Sequence, residues 1–192
     1  MSGTQLFFGT PIYHQSLDLG VTTSLEELEL KGVHNNDYHQ DNDMQFSTFN
    51  EHTNIIQREE VTDLSNLFIE HAQAYVKSLN KDIDVSQMRI IDSWFNKYGK
   101  DGFVGWHDHG YIPNTIAMVY YINIHDGDLH FKSPNPFDIG FPVFQTSPMT
   151  DNEIIIKPNP RDLFMFPSWL RHKSTRNTSG LKRKIFSANL RF

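Results

Sequence analysis

The feature that most constrains the fold is a series of short β-like runs that fill the chain after Asp84 without a helical pattern between them. The runs are separated by Gly, Pro, Asn and Asp, which is typical of strands joined by turns. Strands that follow one another in this way form an antiparallel sandwich or barrel, and they argue against an alternating βαβ fold. The eight predicted strands cover residues 88–98, 103–108, 115–124, 128–132, 153–157, 162–166, 170–175 and 182–192.

The first third of the chain is predicted to be helical and irregular. Apolar residues recur at helical spacing from Arg58 to Leu79, which predicts a helix that covers one face of a sheet. Ser24 and Glu27 form a capping-box pattern, and Gly32 could end the short helix that would follow it. We therefore expect a mainly β protein with antiparallel strands and an α-helical cover.

Length and composition indicate one domain over residues 1–192, with 1–84 as mostly helical or irregular cover and 85–192 as the β core that carries the site. Disulfides and thiolate metal sites are excluded, because the chain has no cysteine. A formal net charge of -6 makes a broad nucleic-acid-binding surface unexpected. With neither a secretory signal nor an apolar run of membrane-spanning length, a cytoplasmic protein without membrane contact is expected.

A pair of closely spaced histidines suggests a metal site. His107 and His109 would face the same side of an extended strand, so that both imidazoles could bind one cation. His172 follows an apolar, aromatic run and is the natural third ligand from another strand. Imidazole ligands suit Fe, Zn, Cu or Ni. A chain with ten histidines can also contain such a pair without binding a metal.

The last predicted strand carries Arg183 and Ser187 on one face, with Ile185 and Asn189. If this face is interior, Arg183 needs an anionic partner, which a bound dicarboxylate could supply through a bidentate pair. The alternative is that this face is simply the solvent side of the strand. Tyr121 could donate a second hydrogen bond to a carboxylate, although a tyrosine at such a position also suits the core.

Taken together, these segments resemble the iron(II)- and 2-oxoglutarate-dependent dioxygenases. The branch that they resemble is the short bacterial and phage one, which is similar to the prolyl-hydroxylase-type oxygenases. The resemblance covers about half of the chain. Its segments are residues 93–96, 106–109, 119–122, 127–131, 162–172 and 183–189.

The resemblance implies a double-stranded β-helix, the jelly-roll or cupin-like fold, with Fe(II) and 2-oxoglutarate as cofactors and O2 as co-substrate. It implies that His107 and His172 are iron ligands and that Arg183 pairs with the distal carboxylate of 2-oxoglutarate. It also implies that Tyr121 and Ser187 are hydrogen-bonding neighbours of that carboxylate.

The chain departs from the usual His-x-Asp motif of this family, because His109 stands where the aspartate is expected. The preferred interpretation is a site of three histidines. The competing one takes Asp108 as the carboxylate ligand, after a distortion of the strand that turns this side chain inward.

The implied activity is hydroxylation of a peptidyl or small-molecule substrate with release of succinate and CO2, although desaturation would share the early steps. The alternative is a non-redox, metal-binding, cupin-like module for ligand binding, which would have no need for Arg183. The resemblance suggests a bacterial or phage-encoded protein, and the oligomeric state is left open, with a homodimer as one option. Candidate substrate contacts are Trp106, Tyr111 and Trp169, with Phe137 and Phe141 in the proline-rich loop 133–151.

Overall fold

The computed structural model describes residues 3–7, 9–17, 33–34, 45–49, 61–134 and 153–192, and these residues form twelve strands and one helix. Near the amino terminus are β1 (Gly3–Phe7), β2 (Thr10–Ser16), β3 (Val33–His34), β4 (Gln45–Ser47) and helix α1 (Thr62–Leu79). The remaining strands are β5 (Arg89–Tyr98), β6 (Val104–His107), β7 (Thr115–Asn123), β8 (Leu129–Lys132), β9 (Glu153–Ile156), β10 (Asp162–Pro167), β11 (His172–Ser174) and β12 (Arg183–Arg191).

The strands form two antiparallel sheets. The larger sheet has the order β1-β2-β10-β7-β12-β5-β4-β3, and the smaller one has the order β6-β11-β8-β9. All eight strands predicted after Asp84 are present, with ends that differ by at most two residues from the prediction. The expected antiparallel, mainly β architecture with helical cover is therefore confirmed.

The two central strands of the larger sheet, β7 and β12, are buried on both faces, which explains why their sequences read as nearly continuous apolar runs. On one face, Tyr120 and Phe186 pack against Phe68 of helix α1. The ring centroid of Phe68 lies 5.4 Å from that of Tyr120 and 5.7 Å from that of Phe186. On the other face, Val119 and Ile185 belong to a second apolar cluster, which residues of the smaller sheet complete. The molecule therefore stacks a helix, a large sheet and a small sheet.

Helix α1 confirms the predicted amphipathic helix in residues 62–79, since its buried side chains recur every three or four residues. The predicted first residues, 58–60, and the short helix predicted around Ser24 to Gly32 lie outside the described residues. None of the helices in the described part of the chain has the length and apolar character needed to cross a bilayer.

The prediction that residues 1–84 are mostly helical or irregular is wrong for β1 to β4, which extend the larger sheet at both edges. β2 pairs with β10, and β4 pairs with β5. The β2 segment has little apolar alternation and contains Pro11, so local pattern does not mark it as a strand. Its strand conformation comes from distant partners, including Tyr75 of α1, whose hydroxyl donates to the Pro11 carbonyl at 2.9 Å.

Candidate metal centre and co-substrate pocket

Three histidines converge at one end of the space between the sheets. His107 ends β6, and His172 begins β11 directly opposite it in the antiparallel register. His109 lies two residues beyond the end of β6. One nitrogen from each of the three imidazoles lies within 4.8 Å of the other two, so a single metal ion could bind all three.

His109 does not reach this position by strand alternation, because β6 ends at His107 and not at Asp108 as predicted. The chain turns at Gly110, whose φ of 82° is in the left-handed region. Two hydrogen bonds hold the turn against Ser168. The His109 N–H donates to the Ser168 carbonyl at 2.8 Å, and the Ser168 hydroxyl donates to the Gly110 carbonyl at 2.9 Å. Asp108 is exposed and accepts a hydrogen bond from the Gly110 N–H at 3.0 Å, outside the histidine group.

Each histidine has a hydrogen-bond acceptor at Nδ1. For His107 it is the Gly105 carbonyl at 2.9 Å, and for His172 the Leu170 carbonyl at 2.9 Å. For His109 it is Asn189 Oδ1 at 2.6 Å. Because these oxygens only accept, each Nδ1 carries the hydrogen, and each Nε2 keeps a lone pair for a metal.

Burial also prepares the imidazoles to bind a metal. It lowers the pKa of His107 and His109, and it holds the pKa of His172 well below its usual range. The neighbouring imidazoles lower the His172 pKa further. Since metal binding requires the neutral ring, the three side chains are in the protonation state that a divalent ion needs at neutral pH.

A longer hydrogen-bonded chain orients His109. The Asn189 amide accepts from the ring through Oδ1 and donates through Nδ2 to Asp92 Oδ1 at 2.7 Å. This second contact fixes which way the amide points and so supports the Nδ1–H form of His109. A carboxylate thus influences the histidine through an intervening amide, in the way that outer partners commonly tune metal ligands.

Arg183 is buried, with 1% of its surface exposed, so its face of β12 is the interior one and not the solvent side. Nη2 donates to Ser174 Oγ and to the Thr175 carbonyl, both at 3.1 Å, and the guanidinium carbon lies 4.7 Å from the centre of the Tyr98 ring. No carboxylate of the described residues is within salt-bridge distance, and Nε is buried without an acceptor there. A buried cation without a counter-ion suits an anionic ligand.

A cavity of about 530 Å³ lies between the two sheets beside the histidines. Tyr121 and Ser187 line it, whereas Arg183 lies behind two lining residues, Tyr98 and Ser174. Burial raises the pKa of Tyr121, so its hydroxyl remains a hydrogen-bond donor at neutral pH. The cavity lining comprises Ser47, Phe49, Asp92, Trp94, Asn96, Tyr98, Val104, His107, Asp108, His109, Ile112, Val119, Tyr121, Leu129, His172, Lys173, Ser174, Ile185, Ser187 and Asn189.

The candidate substrate contacts Trp106, Tyr111 and Trp169 do not line this cavity. Lys173 Nζ lies 4.5 Å from the centre of the Trp106 ring. Tyr111 and Trp169 stack with their ring planes 7° apart, and 85% of the Tyr111 surface is exposed. Phe137 and Phe141 lie outside the described residues, with nearly all of the loop 133–151.

Sequence analysis gave no role to several residues that complete the site. Asp92, Trp94, Asn96 and Tyr98 alternate along β5, and all four line the cavity. This period of two was visible in the sequence. Which β12 residue faces each of them depends on the strand register, which pairs Asp92 with Asn189 and Tyr98 with Arg183.

The donor set fits a ferrous ion and a dicarboxylate, because three neutral imidazoles line the cavity and a buried guanidinium without a carboxylate partner among the described residues lies behind its wall. Residues 92–189, just over half of the chain, match the family model described as 2OG-Fe(II) oxygenase. No curated protein sequence matches the chain significantly.

Solved structures share the fold at low sequence identity. HygX from Streptomyces hygroscopicus, with nickel and 2-oxoglutarate bound, is 13% identical with a TM-score of 0.61, and the alignment covers 95% of this chain and 83% of the HygX chain. A Pseudomonas putida prolyl-4-hydroxylase is 15% identical with a TM-score of 0.59, and the alignment covers 94% of this chain and 91% of the hydroxylase chain. The epimerase SnoN from nogalamycin biosynthesis is 11% identical with a TM-score of 0.62, and the alignment covers 94% of this chain and 76% of the SnoN chain.

These likenesses confirm the predicted double-stranded β-helix, and the family match confirms the predicted resemblance. Fe(II) and 2-oxoglutarate are the cofactors of this family, as expected from the sequence. From the extent of the match, the chain belongs to the 2OG-Fe(II) oxygenase family.

Proposed function

We propose that this protein is a hydroxylase of a peptidyl or small-molecule substrate. The overall reaction would convert substrate C–H, O2 and 2-oxoglutarate into substrate C–OH, succinate and CO2. The observation that carries the proposal is the cavity itself. Three Nδ1-protonated imidazoles line it, and behind its wall lies a buried arginine that lacks a carboxylate partner among the described residues.

His107, His109 and His172 would hold the ferrous ion through their Nε2 atoms. When bound, Fe(II) together with 2-oxoglutarate and O2 supplies the oxidising chemistry. The chain contributes fixed ligand orientation, since every Nδ1 is engaged, and a largely apolar pocket between the two sheets.

Arg183 would neutralise the distal carboxylate of 2-oxoglutarate. Its Nε has no acceptor among the described residues, so a carboxylate that reaches this nitrogen would satisfy both the charge and the missing hydrogen bond. Tyr121 and Ser187 line the same cavity and would donate their hydroxyl groups to 2-oxoglutarate. Ser174 bonds to Arg183 Nη2 and would keep the guanidinium in place.

A non-redox, cupin-like binding module is the alternative function, and the burial of Arg183 counts against it. A metal-binding module without a dicarboxylate ligand would bear the cost of an uncompensated buried cation and gain nothing from it.

The outcome of the oxidation is a separate question, because SnoN, which shares the fold, is an epimerase. Hydroxylation is the simplest outcome, since it needs no further redox group from the protein.

The test is anaerobic titration with Fe(II) and then 2-oxoglutarate, followed by admission of O2 and measurement of succinate. The wild-type protein should bind both and release succinate slowly even without a substrate. Arg183→Ala should weaken 2-oxoglutarate binding by about 100-fold or more, because it removes a buried charged partner, while Fe(II) still binds.

Arg176→Ala is the matched control, since this arginine is half-exposed and pairs with Asp101 at 3.5 Å. It should leave both affinities unchanged. Retained Fe(II) binding shows that Arg183→Ala is folded, and Arg183→Lys provides a milder variant if it is not. Unchanged 2-oxoglutarate affinity in a folded Arg183 variant would contradict the assigned role, and binding without any succinate would favour the non-redox module.

A further inference from the structure

The wall of the cavity that belongs to β5 and β12 is built from residues in register. Tyr98 faces Arg183 at one end, and Asp92 faces Asn189 at the other, where Asn189 also bonds to His109. The wall therefore has a cationic end beneath Tyr98 and a carboxylate beside the metal ligands. If 2-oxoglutarate occupies the cationic end, Asp92 is left to face another molecule.

Asp92 is half-buried and has no cationic partner in the part of the chain that the structure describes. Its hydrogen bonds there come from Asn189, through the side-chain amide at 2.7 Å and through the backbone. Burial raises the pKa of this carboxyl, and the bond from Asn189 offsets that effect in part. A cation that reaches Asp92 from the cavity would complete the compensation.

The other charged groups of the cavity do not supply that cation. Asp108 also lines the cavity and is negative, while Lys173 is held by Glu153 at 2.9 Å and lies over Trp106. With three neutral imidazoles as ligands, a ferrous ion, the 2-oxoglutarate dianion and the Arg183 guanidinium would together carry one positive charge. The two carboxylates of Asp92 and Asp108 exceed that charge, so the cavity keeps a net negative charge near the metal ligands.

Aromatic rings line the same part of the cavity as Asp92. The Trp94 ring is 5.5 Å from the His109 ring, and Phe49 meets Trp94 edge to face at 4.9 Å. Both line the cavity, and 48% of the Phe49 surface is exposed. A carboxylate with aromatic faces nearby favours a cationic nitrogen group, which gains both an ion pair and cation–π attraction.

Asn96 adds a polar group to the same wall of the cavity. Its side chain lines the cavity and is 7% exposed, and its amide makes no hydrogen bond to any described residue. The amide is not one of the fully buried polar atoms that lack a partner, so it faces the cavity and can hydrogen-bond a polar ligand there.

We propose that Asp92, Trp94 and Phe49 form the substrate-binding end of this cavity, and that it receives an ammonium or guanidinium group of the substrate. The inference rests on the proposed oxygenase function, because it assigns the opposite end of the cavity to 2-oxoglutarate. The substrate class is thus a cationic amine or guanidine, either a small molecule or a basic side chain of a peptide.

The experiment compares two probes of the same shape, butylguanidinium and neutral butylurea, by ligand-observed NMR. The protein is loaded with Ni(II) and 2-oxoglutarate, so that no oxidation occurs. Wild-type protein should bind butylguanidinium at least about tenfold more tightly than butylurea. Asp92→Asn should remove most of this difference, while its side-chain oxygen can still accept the bond from Asn189 and keep His109 oriented.

Asp101→Asn is the control, because it makes the same change in net charge outside the cavity lining. It should preserve the preference for butylguanidinium. Equal affinities of the two probes for the wild-type protein, or an equal loss in both variants, would overturn the inference. If Asp92→Asn no longer holds Ni(II), the comparison of the two probes on the wild-type protein still decides whether the cavity prefers a cationic group. Failure of the wild-type protein to bind Ni(II) and 2-oxoglutarate would instead count against the proposed function.

Discussion

In the proposed centre, His109 takes the place of the carboxylate of a His-x-Asp motif, so the ligands of the ferrous ion would carry about one negative charge fewer. Asp92 lies two hydrogen bonds away, through the Asn189 amide, and returns part of that charge at a distance. Asp108 is exposed and engaged with the Gly110 N–H. At the scale of single residues, the proposed centre is therefore neutral in its ligands and acidic in its surroundings.

Alanine substitutions distinguish the two candidates for the third ligand. His109→Ala removes an imidazole nitrogen from the group and should weaken Fe(II) binding by about 100-fold, whereas Asp108→Ala should change it by less than about threefold. Anaerobic calorimetric titration with Fe(II) measures both constants. The reverse ranking would mean that Asp108 turns inward when the metal binds and that the three-histidine interpretation is wrong.

At the scale of elements, β12 serves two purposes because its faces differ. Phe186 and Leu190 pack in the apolar cluster beneath helix α1, while Arg183, Ser187 and Asn189 face the smaller sheet.

The position of Arg183 also depends on the turn that precedes β8. Gly127 there has φ of 98°, and a Cβ at this position would lie 2.0 Å from Arg183 Nη1. The turn and the guanidinium fit only because residue 127 has no side chain.

Gly127→Ala should therefore displace Arg183 and strain the turn. We expect 2-oxoglutarate affinity to fall by about tenfold or more, with Fe(II) affinity nearly unchanged, in anaerobic binding assays. Gly180→Ala is the matched control, because its Cβ would meet nothing within 4 Å. Equal 2-oxoglutarate affinities of the two variants would show that the turn does not position the guanidinium.

At the scale of the whole molecule, the stacking of helix, large sheet and small sheet buries the histidines and couples folding to pH. Burial lowers the pKa of His172 strongly and those of His107 and His109 less. The unfolded chain, with ordinary histidines of pKa about 6.5, therefore binds more protons than the folded chain just below that pH. Stability from these groups is present above about pH 6.5 and is lost as pH falls towards the lowered folded values.

Urea unfolding of the metal-free protein should show this dependence. Between pH 7.5 and 5.5 the free energy of unfolding should fall, and His172 alone contributes a slope of at most about 1.4 kcal/mol per pH unit. His172→Asn should flatten the profile relative to wild type. A wild-type free energy that stays constant across this range, or rises as pH falls, would contradict the assignment of buried neutral imidazoles.

The β core was predictable because strand after strand carries its own local signal, and all eight strands were found within two residues of their predicted ends. The histidine group could be proposed for the same reason, since short spacing and order along the chain are properties of the sequence. β2 and β4 could not be predicted, because they are held by partners far along the chain. Local propensity is weak where tertiary pairing decides.

The sequence by itself determined the antiparallel class and the family, and it supplied the residues proposed to bind a metal and a dicarboxylate, because periodicity and residue chemistry are local. Only the tertiary structure decided that the Arg183 face of β12 is interior and that a turn delivers His109 to the other two imidazoles. Strand register alone set Asn189 between Asp92 and His109. Register and packing arise from contacts between distant segments, which no local pattern contains.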